Sequence, residues 1–258
     1  MKAIWSGAIA FGLVNIPVKL YSAVKESRLD FDMLDKKDYS NIRFKRVNEQ
    51  TGKEVTWNNI VKGYEINGKY VVLAKSDFEK ASPEKTKLIT METFVDPAEI
   101  DVILYNSAYY LSPAKGGERA FALLEEVLRK SKRCGVGTFV LRNREHLVII
   151  RAVHHMLILH TLRFLQEIAD PADFIIKQTA QNRVKPGELK MATSLVRSLD
   201  SSFDIKNYKD TYTKNLMKII RARATGKKLP AATPKTEKAT GDLVSQLRLS
   251  IANRKKRS

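Results

Sequence analysis

From Val14 the chain alternates, with Val14, Ile16, Val18 and Leu20 on one side and Asn15, Pro17, Lys19 and Tyr21 on the other. A period of two predicts a strand with one face buried. Ile42–Val47, Tyr70–Leu73, Lys87–Val95, Val102–Tyr105 and Tyr109–Leu111 continue in this style. They are short runs rich in β-branched and aromatic residues, punctuated by Thr51-Gly52, Asn67-Gly68, Ser82-Pro83 and Asp96-Pro97. Past Gly116-Gly117, the residues Ala120, Phe121, Leu124, Val127 and Leu128 fall on one helical stripe. Strands then resume: Thr138–Leu141 and Leu147–Val153 flank Asn143-Arg144-Glu145-His146 as a hairpin, and His155–Phe164 extends the series. Many short strands with one helix predict a sandwich or barrel.

The period changes near Pro171. Pro186-Gly187 opens a helix with apolar positions Leu189, Ala192, Leu195, Val196 and Leu199, and a second helix is striped by Tyr208, Tyr212, Leu216, Ile219 and Ile220. Ala224–Thr240 has too little apolar content to pack and reads as a linker. Asp242 can cap a last helix whose Leu243, Val244, Leu247 and Ile251 form a sticky face before the basic run Arg254-Lys255-Lys256-Arg257.

Charge sharpens this outline. Among 258 residues, 46 Lys+Arg stand against 28 Asp+Glu, a net +18 that makes a polyanion the first partner to consider. Residues 221–258 hold eleven basic and two acidic residues, so half the excess belongs to the part expected to fold. Within that part, Lys36–Lys62 has seven basic against three acidic residues and Arg129–Arg151 has seven against one. Neither zinc-finger spacing nor a basic-zipper heptad array is present, which points to shape and backbone binding rather than base reading.

Catalytic patterns are weak. Gly226-Lys227-Lys228 lacks the rest of a phosphate-binding loop. Asp96, Glu99 and Asp101 could hold Mg²⁺ in a nuclease, but turn and surface roles fit these acids better. His154 and His155, if extended, point to opposite faces with no third ligand at motif spacing, so no metal or other cofactor is expected. The single Cys134 excludes an internal disulfide and suits a reducing cytoplasm. Ile4–Val18 is mostly apolar, but Gly7, Gly12, Asn15 and Pro17 interrupt it and no export signal or membrane span is expected.

The opening Met1-Lys-Ala-Ile-Trp-Ser-Gly-Ala-Ile-Ala-Phe-Gly-Leu-Val-Asn-Ile-Pro-Val-Lys-Leu-Tyr21 closely resembles that of bacterial Ku proteins. The likeness continues through Ile42–Arg46, Gly52–Val55, Ile60–Tyr64, Tyr70–Leu73, Tyr109–Pro113, Arg142–Leu147, His160–Arg163, Glu188–Ala192 and Asp242–Ser250. It implies an α+β chain: a Ku-type β-barrel core over 1–170 with a DNA-encircling bridge at about 25–65, a helical arm over 171–224, a flexible linker over 225–240 and a C-terminal docking helix with a basic end over 241–258. It further implies a non-catalytic homodimeric ring in the bacterial cytoplasm, associated with the nucleoid. That ring binds ends of double-stranded DNA and recruits the ATP-dependent DNA ligase D in non-homologous end joining.

By correspondence to barrel and bridge, Arg43, Lys45, Arg46 and Lys53 are the first candidates for phosphate contact, followed by Lys132, Arg133 and Lys2. Leu243, Val244, Leu247 and Ile251 are the candidates for ligase docking, since a short tethered helix suits a partner's groove.

Overall fold

The computed structural model describes residues 1–82, 86–174, 184–227 and 243–255. The chain divides into two compact units, Met1–Asp170 and Pro171–Ser258.

The first unit is built on a closed seven-stranded barrel. Strands β1 (Trp5–Phe11) and β2 (Val14–Ser22) form a hairpin. The chain then leaves the barrel and makes a separate two-stranded ribbon, β3 (Lys62–Ile66) with β4 (Lys69–Leu73), and a short helix, α1 (Lys75–Ala81). It returns through β5 (Leu88–Val95) and β6 (Tyr105–Pro113), crosses over in helix α2 (Glu118–Ser131), and finishes with β7 (Cys134–Leu141), β8 (Arg144–Val153) and β9 (Met156–Leu162). The strand order is β1-β2-β6-β9-β8-β7-β5. All neighbours are antiparallel except the closing pair, in which Ala8, Ile9 and Ala10 of β1 run parallel to Leu88, Ile89 and Thr90 of β5.

Closure removes both edges of the barrel sheet, so the barrel leaves no row of unpaired backbone groups for another strand to template on. It also demands close approach. A Cβ on Gly137 of β7 would overlap the Thr90 carbonyl of β5, and one on Gly7 of β1 would overlap the Lys87 carbonyl. Glycine at both positions lets β5 be gripped from either side.

The alternation of β2 places Ile16, Val18 and Leu20 in the core, where they meet Ile9, Ile89, Leu111, Phe139, Val148, Ile150, Leu157 and Leu159. Helix α2 adds Leu124 and Leu128 to the same cluster. Its C-cap, Lys132, adopts the left-handed conformation (φ 54°), which turns the chain into β7.

Several local expectations are corrected. Trp5–Phe11 is a strand in its own right, although its small residues hide the alternation. Ile42–Val47 makes no strand; within it only Val47 forms an isolated bridge, to Glu54, and the preceding Asn41 forms one to Leu34. Val102–Leu104 is a 3-10 turn because the Asp101 carboxylate accepts from the Ile103 N–H at 3.0 Å. The β7–β8 turn is Arg142-Asn143 (φ 53° and 66°), and Arg144 to His146 already belong to β8. His154 and His155 (φ 46° and 60°) are the β8–β9 turn rather than extended residues, and β9 starts only at Met156.

Within the second unit, α3 (Pro186–Leu199), α4 (Thr211–Ala224) and α5 (Leu243–Lys255) are the helices described. Tyr208 precedes α4, as the C-cap of the 3-10 turn Ile205–Asn207. Helix α5 packs on α3. The linker expected over 225–240 and the Asp242 cap fall mostly or wholly outside the described residues.

Candidate nucleic-acid interface

Between β2 and β5 the chain forms an arm with no core. No described residue from Val24 to Lys87 is buried, although the stretch carries Phe31, Met33, Phe44, Trp57, Tyr64 and Tyr70, all more than half exposed. Order there is local. Ile42 N–H bonds the Met33 carbonyl at 2.9 Å, and Val55 N–H bonds the Arg46 carbonyl at 2.8 Å, so residues 33–42 and 46–55 are two small hairpin-like loops. The second turns at Asn48–Gly52, with Gly52 at φ 67°.

This second loop organises the basic residues predicted for phosphate contact. Lys45 Nζ is ion-paired with Glu54 at 2.7 Å across the loop, with both side chains largely exposed. The Arg46 guanidinium lies 4.5 Å from the centroid of the Trp57 ring, a cation–π contact that holds the planar group in place and leaves its charge intact. Arg43 and Lys53 have no ion pair among the described residues. Four basic side chains thus share one loop system, in three different states: paired, stacked and free. Lys2 is exposed at the start of the chain, just before β1.

The Arg129–Arg151 cluster is less basic than its sequence window suggests. Arg129 and Lys130 pair with Glu125 (3.1 Å) and Glu126 (2.8 Å), one helical turn back and just outside that window. The Lys130 ammonium holds the Glu126 carboxyl below its ordinary range. Arg133 lies 3.8 Å from Glu99. Arg151 donates to His160 Nε2 at 3.3 Å, and burial followed by this neighbouring cation pushes the His160 pKa down. What remains free among the described residues is Lys132 together with Arg142, in the β7–β8 turn, and Arg144, at the start of β8, two exposed arginines that sequence reasoning passed over. The resemblance had included Arg142–Leu147, so the signal was present.

The acids of the nuclease alternative serve the backbone. Asp96 accepts from Ala98 N–H at 2.9 Å, Glu99 from Asp96 N–H at 3.0 Å and Asp101 from Ile103 N–H. Among the described residues no three His, Cys, Asp or Glu side chains are grouped to hold a metal ion. Cys134 is fully buried and burial raises its thiol pKa, the reverse of what a nucleophile needs.

In the second unit, Val244, Leu247 and Ile251 are half-buried, and α5 packs on α3, whose Met191, Ala192 and Leu195 are half-buried as well. Leu249 is exposed, so the apolar residues run around α5 and do not form the single free face expected. For Leu243 only its place at the start of the helix is described. No described helix is long and apolar enough to cross a membrane.

Comparison with known proteins agrees with this architecture. A family model for the Ku70/Ku80 beta-barrel domain matches residues 10–191. The non-homologous end joining protein Ku of Opitutus terrae is 38% identical over 255 residues, covering 97% of this chain and 91% of that protein. Its namesake in Archaeoglobus fulgidus is 37% identical over 230 residues (89% and 90% covered), and that of Pseudomonas aeruginosa 35% identical over 260 (98% and 89%).

Proposed function

The chain belongs to the Ku family, and on that premise we propose that it binds ends of double-stranded DNA, without sequence preference, as a homodimeric ring acting in non-homologous end joining. One observation carries the ring: the arm between β2 and β5 exposes aromatic and basic residues together and buries none of them. A segment of this kind gains little by folding alone. It becomes ordered between a second copy of the chain, which covers the aromatics, and a duplex, which takes the charges.

Arg43, Lys45, Arg46 and Lys53 contact phosphate in this reading, with Lys132, Arg133 and Lys2 as outlying contacts. Such contacts carry no sequence information and suit a protein that must accept any broken end. No step of bond chemistry is assigned to the chain; the ligation belongs to the ATP-dependent ligase D, which the C-terminal unit recruits. Helix α5 packs on α3 and Val244, Leu247 and Ile251 are half-buried, so docking through these residues and Leu243 requires the ligase to reach side chains that are already partly covered.

Competition between a linear duplex and its closed circle tests the end-binding ring, with the mass of the complex measured in solution. Preference for the linear form by a species of two chains is expected. Equal binding to the circle would replace the ring with a general DNA-coating function. Labelled linear DNA incubated with protein and Mg²⁺ should stay intact; cleavage abolished by Asp101→Asn would make the protein a nuclease. Leu247→Asp should abolish stimulation of ligation while leaving end binding unchanged.

A further inference from the structure

An apolar groove runs between α2 and the barrel wall. Its volume is about 460 Å³, and Phe11, Val14, Phe94, Leu123 and Val127 line it above the core. Leu123 is 63% exposed and Val127 50% exposed, one turn apart on the outer side of α2. A solvated helix face is ordinarily polar, so two aliphatic side chains beside an open apolar cleft mark a surface that another molecule covers.

The charges around the groove are asymmetric. Among the described residues its only charged lining residue is Arg133, with Ser131 the only other polar one, and no carboxylate lines it. Arg133 is half-exposed and, among the described residues, is ion-paired only through the 3.8 Å contact to Glu99. Lys132, in the left-handed cap of α2, stands beside it without an ion pair among the described residues. Arg133 is among the outlying phosphate contacts proposed for DNA, but the aliphatic walls beside it offer a phosphate backbone nothing and call for an apolar occupant.

We infer that this groove docks an acidic amphipathic helix of a partner protein, with two or three large apolar side chains seated between α2 and the Phe11–Val14 hairpin and a carboxylate on Arg133. The volume matches that load: pockets of roughly 300–1,000 Å³ hold ligands of comparable apolar bulk. Anchors at i, i+3 or i+4, and i+7 would follow the groove along α2.

The test uses the full chain and two fluorescent helical peptides of about 14 residues. Both carry Leu, Phe and Leu at i, i+4 and i+7; one has glutamates on its flanks and the other lysines. At ~0.15 M salt, where surface charges alone are largely screened, the acidic peptide should bind saturably and the lysine peptide at least about tenfold more weakly, a difference of ~1.4 kcal/mol. Leu123→Asp, on an exposed position, should weaken the acidic peptide at least about tenfold without lowering Tm or binding to linear DNA. Arg133→Glu should reverse the preference toward the lysine peptide.

Equal binding of the two peptides, or acidic-peptide binding that survives Leu123→Asp, would overturn the inference. So would a drop in solution mass caused by Leu123→Asp alone, which would assign the groove to a second copy. The DNA measurement keeps this result apart from the ring: failure of peptide binding leaves end binding standing, and the converse also holds.

Discussion

Salt dependence is where the three states of the arm's basic residues become measurable. Each phosphate neutralised on duplex DNA contributes about −0.9 to the slope of log K against log salt. A fourfold rise in salt, from ~50 to ~200 mM, therefore costs about 3.5-fold in affinity per contact. Among the described residues Arg43 and Lys53 have no ion pair to break, so each should contribute that full slope. The double variant Arg43→Ala, Lys53→Ala should be shallower by about 1.8, so that it loses roughly twelvefold less affinity than the parent over the same range.

Lys45 differs because Glu54 already neutralises it at 2.7 Å. With side-chain exposures of 71% and 55%, that pair is worth no more than about 1 kcal/mol, and Glu54→Gln should strengthen DNA binding by up to about fivefold. Fluorescence anisotropy on a short labelled duplex at four or five salt concentrations reads all three proteins. None of these residues is buried, so unfolding free energies should agree within ~0.5 kcal/mol. An unchanged slope in the double variant, with its affinity retained, would refute the assignment of these side chains to phosphate.

Three further outcomes concern the barrel. Gly137→Ala puts a Cβ into the Thr90 carbonyl where β5 meets β7 and should destabilise the protein by ~3 kcal/mol, read from the shift in urea midpoint. His160 has a pKa depressed below 6.5, so the unfolded chain takes up its proton more readily; stability should be complete above that value and fall as pH drops through the lowered pKa, and in His160→Asn this part of the acid sensitivity should disappear from urea midpoints compared across pH. Cys134 is fully buried with a raised thiol pKa, and iodoacetamide should label it only under unfolding conditions, as mass spectrometry of native and urea-treated protein would report.

The strands that could be foreseen were those whose alternation reflects burial of one face. Val14–Tyr21 shows it because Ile16, Val18 and Leu20 enter the core. Trp5–Phe11 did not, since Gly7, Ala8 and Ala10 flatten the contrast at the place where β5 must approach closely. Ile42–Val47 has strand-like residues, but a strand requires a neighbour, and this stretch has only two isolated bridges beside it. Asn67-Gly68 was legible as a turn from its glycine, whereas Arg142-Asn143 and His154-His155 reach positive φ without one. The acids Glu125, Glu126 and Glu99 escaped a charge count taken over a fixed window, although two lie one helical turn away and the third comes near only through folding.

Local periodicity, the excess of positive charge and the long likeness to Ku were all present in the amino-acid sequence, because each is a property of neighbouring residues or of the chain as a whole. Tertiary structure alone decided the rest. The parallel closure of β1 on β5 joins residues 80 positions apart and depends on glycines whose purpose shows only when the strands meet. The same holds for which cations are free, which are paired with glutamates or stacked on Trp57, and for the groove beside α2. Those features arise from contacts across the fold, and pairing and burial depend on distance in space, which spacing along the chain does not specify.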